Sequence, residues 1–238
     1  MKRKLFLGID NGKNGAMAII DIERNIDKVF KYNVEKPTLL YEELSKYDFS
    51  KTEFYAFVEK PIVVYGLAHQ TAPFETIGRH KMTLEILKIP YRMGDPAATS
   101  KENWKKILDL QEDAKVASRK NTKVVSELNK ERKNIELKAQ EFGLDRSDLA
   151  KSKTAYLDPE AAKLALQWRE NRKKLDACKR EKKSDVKDVS INACLKLFPS
   201  ALELIAKPRA KTKKYDDDMA EALLLAECGR TLYINGNF

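Results

Sequence analysis

The sequence feature that most constrains the fold is a change of composition after residue 108. Residues 109–187 contain 21 Lys or Arg and 15 Asp or Glu, but a single Gly and a single Pro. So few helix-breaking residues among so many charges predict solvated helices with charge pairs three or four residues apart. We therefore predict a core formed by residues 1–108 and 188–238, and an inserted charged helical hairpin arm at 109–187.

Two long helices are expected within this insertion. The candidate segments are 116–142 and 159–183, joined by residues 143–157, with Pro159 suited to a first helical turn. Because apolar positions are sparse, we expect the arm to present a solvated face or a dimer contact rather than a surface that reads DNA sequence.

The rest of the chain alternates short apolar runs with helical patterns. The runs predict strands at 4–9, 16–20, 28–33, 53–58 and 91–93. Helical spacing is found at 38–46, at 71–87 and from about 217 to 233. This alternation predicts an α/β fold whose first three strands form an antiparallel meander.

Acidic residues stand at the ends of these elements. Asp10 ends the first strand, Glu59 ends the fourth, and Asp216–Asp218 with Glu221 opens the last helix. Element ends converge at one edge of an α/β sheet, so we expect the carboxylates to meet there. Oxygen donors without supporting His or Cys favour Mg²⁺ or Mn²⁺ over Zn²⁺.

The last helix offers two ways to pair its carboxylates. Asp217 lies four residues before Glu221 and Asp218 lies three before it, so either pair shares a helix face. At least one of the three consecutive aspartates is expected to cap the helix instead of binding a ligand.

Three segments resemble, in order, the acidic motifs of RuvC-like Holliday junction resolvases: LFLGIDNGKNGAMAIID, FVEKP and DDDMAEALLLAEC. The likeness covers roughly residues 1–105 and 186–233. It implies a ribonuclease H-like mixed sheet with flanking helices and a Mg²⁺-dependent endodeoxyribonuclease in which Mn²⁺ substitutes. The metal-binding, catalytic residues it implies are Asp10, Glu59, Glu221 and one of Asp217 and Asp218. The spacing of three from Asp218 to Glu221 is that of cellular members of the family, and the spacing of four from Asp217 to Glu221 is that of phage and mitochondrial relatives. The second option, with the compact size of the chain, points to a phage or viral type.

The implied reaction is two-metal hydrolysis of phosphodiester bonds in Holliday junctions or other branched DNA, in recombination and repair. A homodimer acting on a four-way junction is implied with it. We expect a cytoplasmic protein, because the odd number and the spacing of its cysteines fit a reducing compartment, no apolar run approaches a membrane span and the N-terminal run is too short for a leader. The resemblance implies a bacterial or phage-infected cell.

A net charge of +10 fits a polyanionic partner. The segment SKENWKK resembles the basic phosphate-gripping segment of the family, and basic residues also precede the last helix. The implied DNA contacts are Lys101, Trp104, Lys105, Lys106, Lys211, Lys213, Lys214 and, as a junction-probing wedge, Tyr65 or alternatively Phe74. Trp104 and Trp168 also suit packing roles.

Other readings of the sequence remain open. GIDNGKNG followed by AMAII also resembles the phosphate-binding hairpin of actin-like ATPases and sugar kinases, although nine Gly are few for that group. A non-catalytic DNA-binding protein is the other alternative.

His69 and His80 are expected at the surface or in caps, with His80 able to contact phosphate. The three cysteines are an odd number without CxxC spacing, which argues against a disulfide framework and against a structural zinc site.

Overall fold

The computed structural model describes residues 1–11, 15–32, 36, 38–61, 71–95, 103–110, 116, 119, 121–151, 158–207 and 215–238. The chain forms two compact units. The first comprises Met1–Glu112 and Asp188–Phe238, and the second comprises Asp113–Lys187. The first unit contains an open, mixed, five-stranded sheet with helices, which confirms the predicted α/β class.

The strands are β1 (Arg3–Asp10), β2 (Ala16–Asp21), β3 (Ile26–Lys31), β4 (Thr52–Glu59) and β5 (Tyr91–Gly94). Their order across the sheet is β3-β2-β1-β4-β5. β1 pairs antiparallel with β2, and β2 with β3, so the predicted meander is confirmed. β4 lies parallel to β1 and to β5. The innermost strands are apolar on both faces because helices cover both sides of the sheet.

The helices are α1 (Leu39–Leu44), α2 (Thr71–Ile86), α3 (Trp104–Ile107), α4 (Thr122–Glu141), α5 (Arg146–Ala150), α6 (Pro159–Leu197), α7 (Ala201–Leu204) and α8 (Asp217–Ile234). On one face of the sheet, Leu5, Leu7 and Ile9 of β1 pack with Leu40 of α1 and Leu84 of α2. These residues form one of the two cores of the first unit.

The opposite face of the sheet carries the larger core. Phe6 of β1 and Phe57 of β4 pack there with Leu225 of α8, Cys194 of α6 and Trp104 of α3. Side chains of a strand alternate between faces, so residues an even number of positions from Phe6 and Phe57 share this side. This parity places the ends of β1 and β4 on the side that α8 covers.

The second unit is helical and has a small core of its own. α4, α5 and the part of α6 before residue 188 enclose five buried residues: Ile135, Ala139, Leu149, Ala165 and Trp168. Trp168 is therefore a packing residue. Charge pairs at i,i+4 spacing join Arg132 to Glu136 and Arg172 to Asp176. This pattern is the one predicted for a charge-rich helical segment.

Cys178, Cys194 and Cys228 are free thiols. In the part of the chain that the structure describes, no helix combines the length and apolarity that a membrane crossing requires.

Candidate metal centre

Asp10 and Glu59 end neighbouring parallel strands. Ile9 is in register with Val58, so the next residue on each strand is a carboxylate, and adjacent strands lie about 4.8 Å apart. Asp10 lies four residues after Phe6, and Glu59 lies two after Phe57, so both belong to the α8 side of the sheet. The two predicted acids therefore share an edge and a face.

At Gly8, the backbone of α8 lies directly against β1 with no side chain between them. A Cβ on Gly8 would lie 2.0 Å from the carbonyl oxygen of Ala222 and 2.3 Å from the amide nitrogen of Ala226. Only glycine permits such contact. Asp218 lies one helical turn before Ala222, so it belongs to the strip of α8 that faces β1.

Contacts of Lys31 show where the first turn of α8 lies relative to Asp10. Lys31 is in register with Ala16, and Ala16 with Asp10. Its ammonium group lies 2.7 Å from a carboxylate oxygen of Asp216 and 2.5 Å from one of Asp218. The acidic turn of α8 thus lies at the same edge of the sheet as the strand ends.

Glu59 is largely enclosed by protein and retains only partial surface exposure. Burial, together with the negative charge of Glu221, raises its pKa to about 7, while a hydrogen bond from Trp104 and the charge of Lys105 act in the opposite direction. The indole nitrogen of Trp104 donates to a Glu59 carboxylate oxygen at 3.0 Å. Glu59 and Glu221 are therefore near enough to repel each other, as carboxylates sharing a cation site do without the cation.

Glu221 is held from a different element. The hydroxyl of Ser190, a buried residue of α6, donates to a Glu221 carboxylate oxygen at 3.0 Å. Ser190 is a part of the site that the sequence analysis missed, because no local pattern relates it to Glu221.

The tightest group of carboxylates is at the start of α8. Among the described residues, Asp216, Asp217 and Asp218 alone form a set of three potential ligands whose oxygen atoms all lie within 4.8 Å of one another. Asp10, Glu59 and Glu221 form no such set. The structure brings the predicted acids to one edge of the sheet, but it does not bring all of them within mutual coordination distance.

Asp216 serves as the helix cap. Its side chain accepts a hydrogen bond from the backbone amide of Met219 at 3.1 Å. Although burial alone would raise its pKa, hydrogen bonds from Lys31 and Lys207 hold the pKa of Asp216 below its ordinary value. One aspartate of the run is therefore a cap, as expected, and Asp217 (buried) and Asp218 (partly exposed) remain the candidate ligands.

Buried hydrogen bonds hold Asn11, the residue that follows β1. The Asn11 amide donates to the backbone carbonyl of Glu59, and Asn11 Oδ1 lies 2.7 Å from Nδ1 of His80. Burial lowers the pKa of His80 to about 4, so the ring is neutral and Nδ1 carries the proton in this contact. The expectation that His80 lies at the surface or contacts phosphate is wrong, because this face of α2 packs on the sheet.

The residues predicted to contact DNA differ in their exposure. Trp104 is 2% exposed, so it packs in the core instead of presenting its ring to a ligand. Lys105 and Lys106 are partly exposed on α3, and Phe74 is exposed on α2. The remaining candidates lie outside the described residues: Lys101, Lys211, Lys213, Lys214 and Tyr65.

Comparison of the chain with protein-family models finds no match, and comparison with curated proteins finds none either. The groups at this edge are carboxylates, and the nearby His80 is directed to Asn11. Such oxygen donors suit Mg²⁺ or Mn²⁺. The like-charge repulsion at Glu59 is a further property that a bound cation would relieve.

Proposed function

We propose that this chain is a metal-dependent endonuclease of the ribonuclease H-like type, similar to RuvC-like resolvases, that cleaves branched DNA. One observation carries the proposal. Asp10 and Glu59 end neighbouring parallel strands on the face of the sheet over which the acidic first turn of α8 lies. The five-stranded mixed sheet with helices on both faces is compatible with the proposed fold family.

In this proposal Asp10, Glu59, Glu221 and one of Asp217 and Asp218 hold Mg²⁺. Bound there, the metal would supply an activated water and stabilise the leaving oxygen of a phosphodiester. The chain's own residues prepare that site. Trp104 donates a hydrogen bond to Glu59, Ser190 donates one to Glu221, and Lys31 balances the charge of the aspartates that open α8.

Positive charge next to the carboxylates supports a nucleic-acid substrate. Lys105 lies near enough to Glu59 for its charge to lower the pKa of that carboxyl, and Lys106 follows it on α3. Cations beside a metal-binding edge can hold the phosphates that flank a scissile bond. The net charge of +10 favours the same partner. The proposal also includes a homodimer that acts on a four-way junction, and this part rests only on the resemblance to RuvC-like resolvases.

The test is cleavage of synthetic four-way junction, flap, linear duplex and RNA–DNA hybrid substrates by purified protein, with Mg²⁺ and then with EDTA. We expect Mg²⁺-dependent cleavage of the branched DNA substrates and none in EDTA. Asp10→Asn and Glu59→Gln should abolish cleavage while DNA binding persists, because each removes a ligand and leaves the basic surface unchanged.

Glu53→Gln is the matched control, since Glu53 lies near the opposite end of β4. This variant should cleave like the parent. Cleavage that survives Asp10→Asn would overturn the proposal. Absence of cleavage together with tight ATP binding would favour an actin-like or sugar-kinase activity, and DNA binding without cleavage would favour a non-catalytic protein.

A further inference from the structure

Trp104 connects the end of β4 with α8. It is the first residue of α3, it is 2% exposed, and its indole N–H donates to Glu59 at 3.0 Å. Its backbone carbonyl accepts a hydrogen bond from the Cys228 thiol of α8 at 3.6 Å. A tryptophan held at both its backbone and its ring offers a donor whose position hardly varies.

The residues on either side of Trp104 strengthen this arrangement. Asn103 caps α3 by accepting a hydrogen bond from the backbone amide of Lys105 at 3.0 Å. The Lys105 ammonium lies 4.9 Å from the centre of the Trp104 ring, within the range of a cation–π contact. The indole and the ammonium therefore both act on the Glu59 carboxylate, one through a hydrogen bond and one through its charge.

The Glu59 side chain is flexible and lies in the field of another negative charge, so a hydrogen-bond donor is needed to hold its carboxylate in one orientation. Its side chain has three rotatable bonds, and the charge of Glu221 repels it. Ligands of metal sites commonly depend on a hydrogen bond from a neighbouring group that orients them.

We propose that Trp104 is the positioning residue of Glu59, whose indole N–H holds the carboxylate in the orientation that binds a divalent cation. The metal-binding role of Glu59 rests on the proposed function. Trp104 itself touches neither cation nor substrate. It was expected among the DNA contacts, and its burial instead assigns it to the support of the acid at the end of β4.

The second unit contains a matched control. The indole N–H of Trp168 donates to a carboxylate oxygen of Glu136, also at 3.0 Å, and Trp168 is also buried. The charges around the two acceptors differ. Glu136 lies 2.8 Å from the Arg146 guanidinium, whereas the negative charge of Glu221 raises the pKa of Glu59. Trp→Phe therefore makes the same chemical change at a site with a fixed counter-ion and at the candidate metal site.

The first experiment measures Mn²⁺ binding to the full-length protein by the loss of the free-ion electron paramagnetic resonance signal. Trp104→Phe should weaken binding by about 10- to 100-fold, the usual effect of losing a group that orients a ligand. Trp168→Phe should bind like the parent. Equal affinity in folded Trp104→Phe and parent would overturn the proposal.

The second experiment leaves Trp104 in place, so it remains informative if Trp104→Phe does not fold. In Trp168→Phe protein, Trp104 is the sole tryptophan, and Mn²⁺ bound at Glu59 should quench its fluorescence in a saturable way. Glu59→Gln in the same background should remove the saturable quenching. Quenching that is absent, or unchanged by Glu59→Gln, would overturn the proposal.

DNA cleavage separates this inference from the proposed function. Mn²⁺ binding that depends on both Glu59 and Trp104, in a protein that cuts no DNA, would support the positioning role and refute the nuclease. Mg²⁺-dependent cleavage that folded Trp104→Phe retains at the parental rate and the parental Mg²⁺ requirement would support the nuclease and refute the positioning role.

Discussion

Gly8 of β1 lies directly against the backbone of Ala222 in α8, where a Cβ would come within 2.0 Å of the carbonyl oxygen. This contact sets the distance between the strand that ends in Asp10 and the helix that carries Asp218 and Glu221. Neither backbone can move aside without disturbing the core that both elements share.

Gly8→Ala tests the importance of this contact. The added methyl group must push α8 away from β1, which should lower the free energy of unfolding by about 1–3 kcal/mol or more. It should also weaken Mn²⁺ binding, because the acids of α8 move away from those of the strands. Urea unfolding and Mn²⁺ titration measure the two effects. Gly78→Ala is the control, since a Cβ there meets no atom within 4 Å. Gly8→Ala protein with parental stability would contradict the prediction.

Asn substitutions distinguish the three aspartates that open α8. Asp218→Asn should reduce Mg²⁺-dependent cleavage most, because Asp218 lies one turn before Ala222 on the strip that faces β1. Asp217→Asn should have a smaller effect on cleavage. Asp216→Asn should have the smallest, because Asn is as good a helix cap as Asp. Initial rates over a range of Mg²⁺ concentrations give the ranking, and a larger loss in Asp217→Asn would identify Asp217 as the ligand.

Glu59 predicts a pH dependence of stability in metal-free protein. The pKa of Glu59 is about 7 in the folded protein, compared with an ordinary value of 4.5. Between these two pH values the folded protein therefore keeps Glu59 protonated, whereas the unfolded chain has lost that proton. Stability should therefore fall as pH rises from 4.5 to 7, on the order of 2 kcal/mol. Glu59→Gln lacks this dependence and should be the more stable protein at pH 8. Urea unfolding in EDTA measures the difference, and parallel pH profiles of the two proteins would refute the prediction.

The buried His80 should make the stability of the folded protein depend on pH with the opposite sign. Burial lowers its pKa from 6.5 to about 4, so the unfolded chain takes up the proton first and stability is lost as pH falls through this range. His80→Phe keeps an aromatic ring beside Tyr32 but leaves Asn11 Oδ1 without its donor. The variant should lose about 1–3 kcal/mol at pH 7 and show no His80-dependent loss at lower pH. The same urea series tests this, and an unchanged acid limb of the profile would count against it.

Much of the fold could be predicted because it depends on local pattern. The apolar runs of β1, β2 and β4 predict strands, and an acid that ends such a run predicts a carboxylate at a sheet edge. The helix predicted from about 217 to 233 is observed as Asp217–Ile234. The helix predicted at 159–183 continues to Leu197, because no Pro or Gly interrupts it before Pro199.

The contacts around the site could not be predicted from local pattern. Trp104 and Glu59 are 45 residues apart, and His80 and Asn11 are 69 apart. Arg79 and Lys81 flank His80 and favoured a phosphate contact for it, but a helix turns each side chain about 100° from the previous one. Charged neighbours therefore do not reveal which residue faces the sheet.

The sequence by itself determined which residues carry carboxylates and that these residues end strands or open a helix, since strand and helix formation depends on near neighbours. Only the tertiary structure decided which groups support them: Trp104 for Glu59, Ser190 for Glu221 and Lys31 for Asp218. Those pairings depend on how α3, the part of α6 after residue 187 and α8 pack on one face of the sheet, and that packing results from burying apolar surface across the first unit.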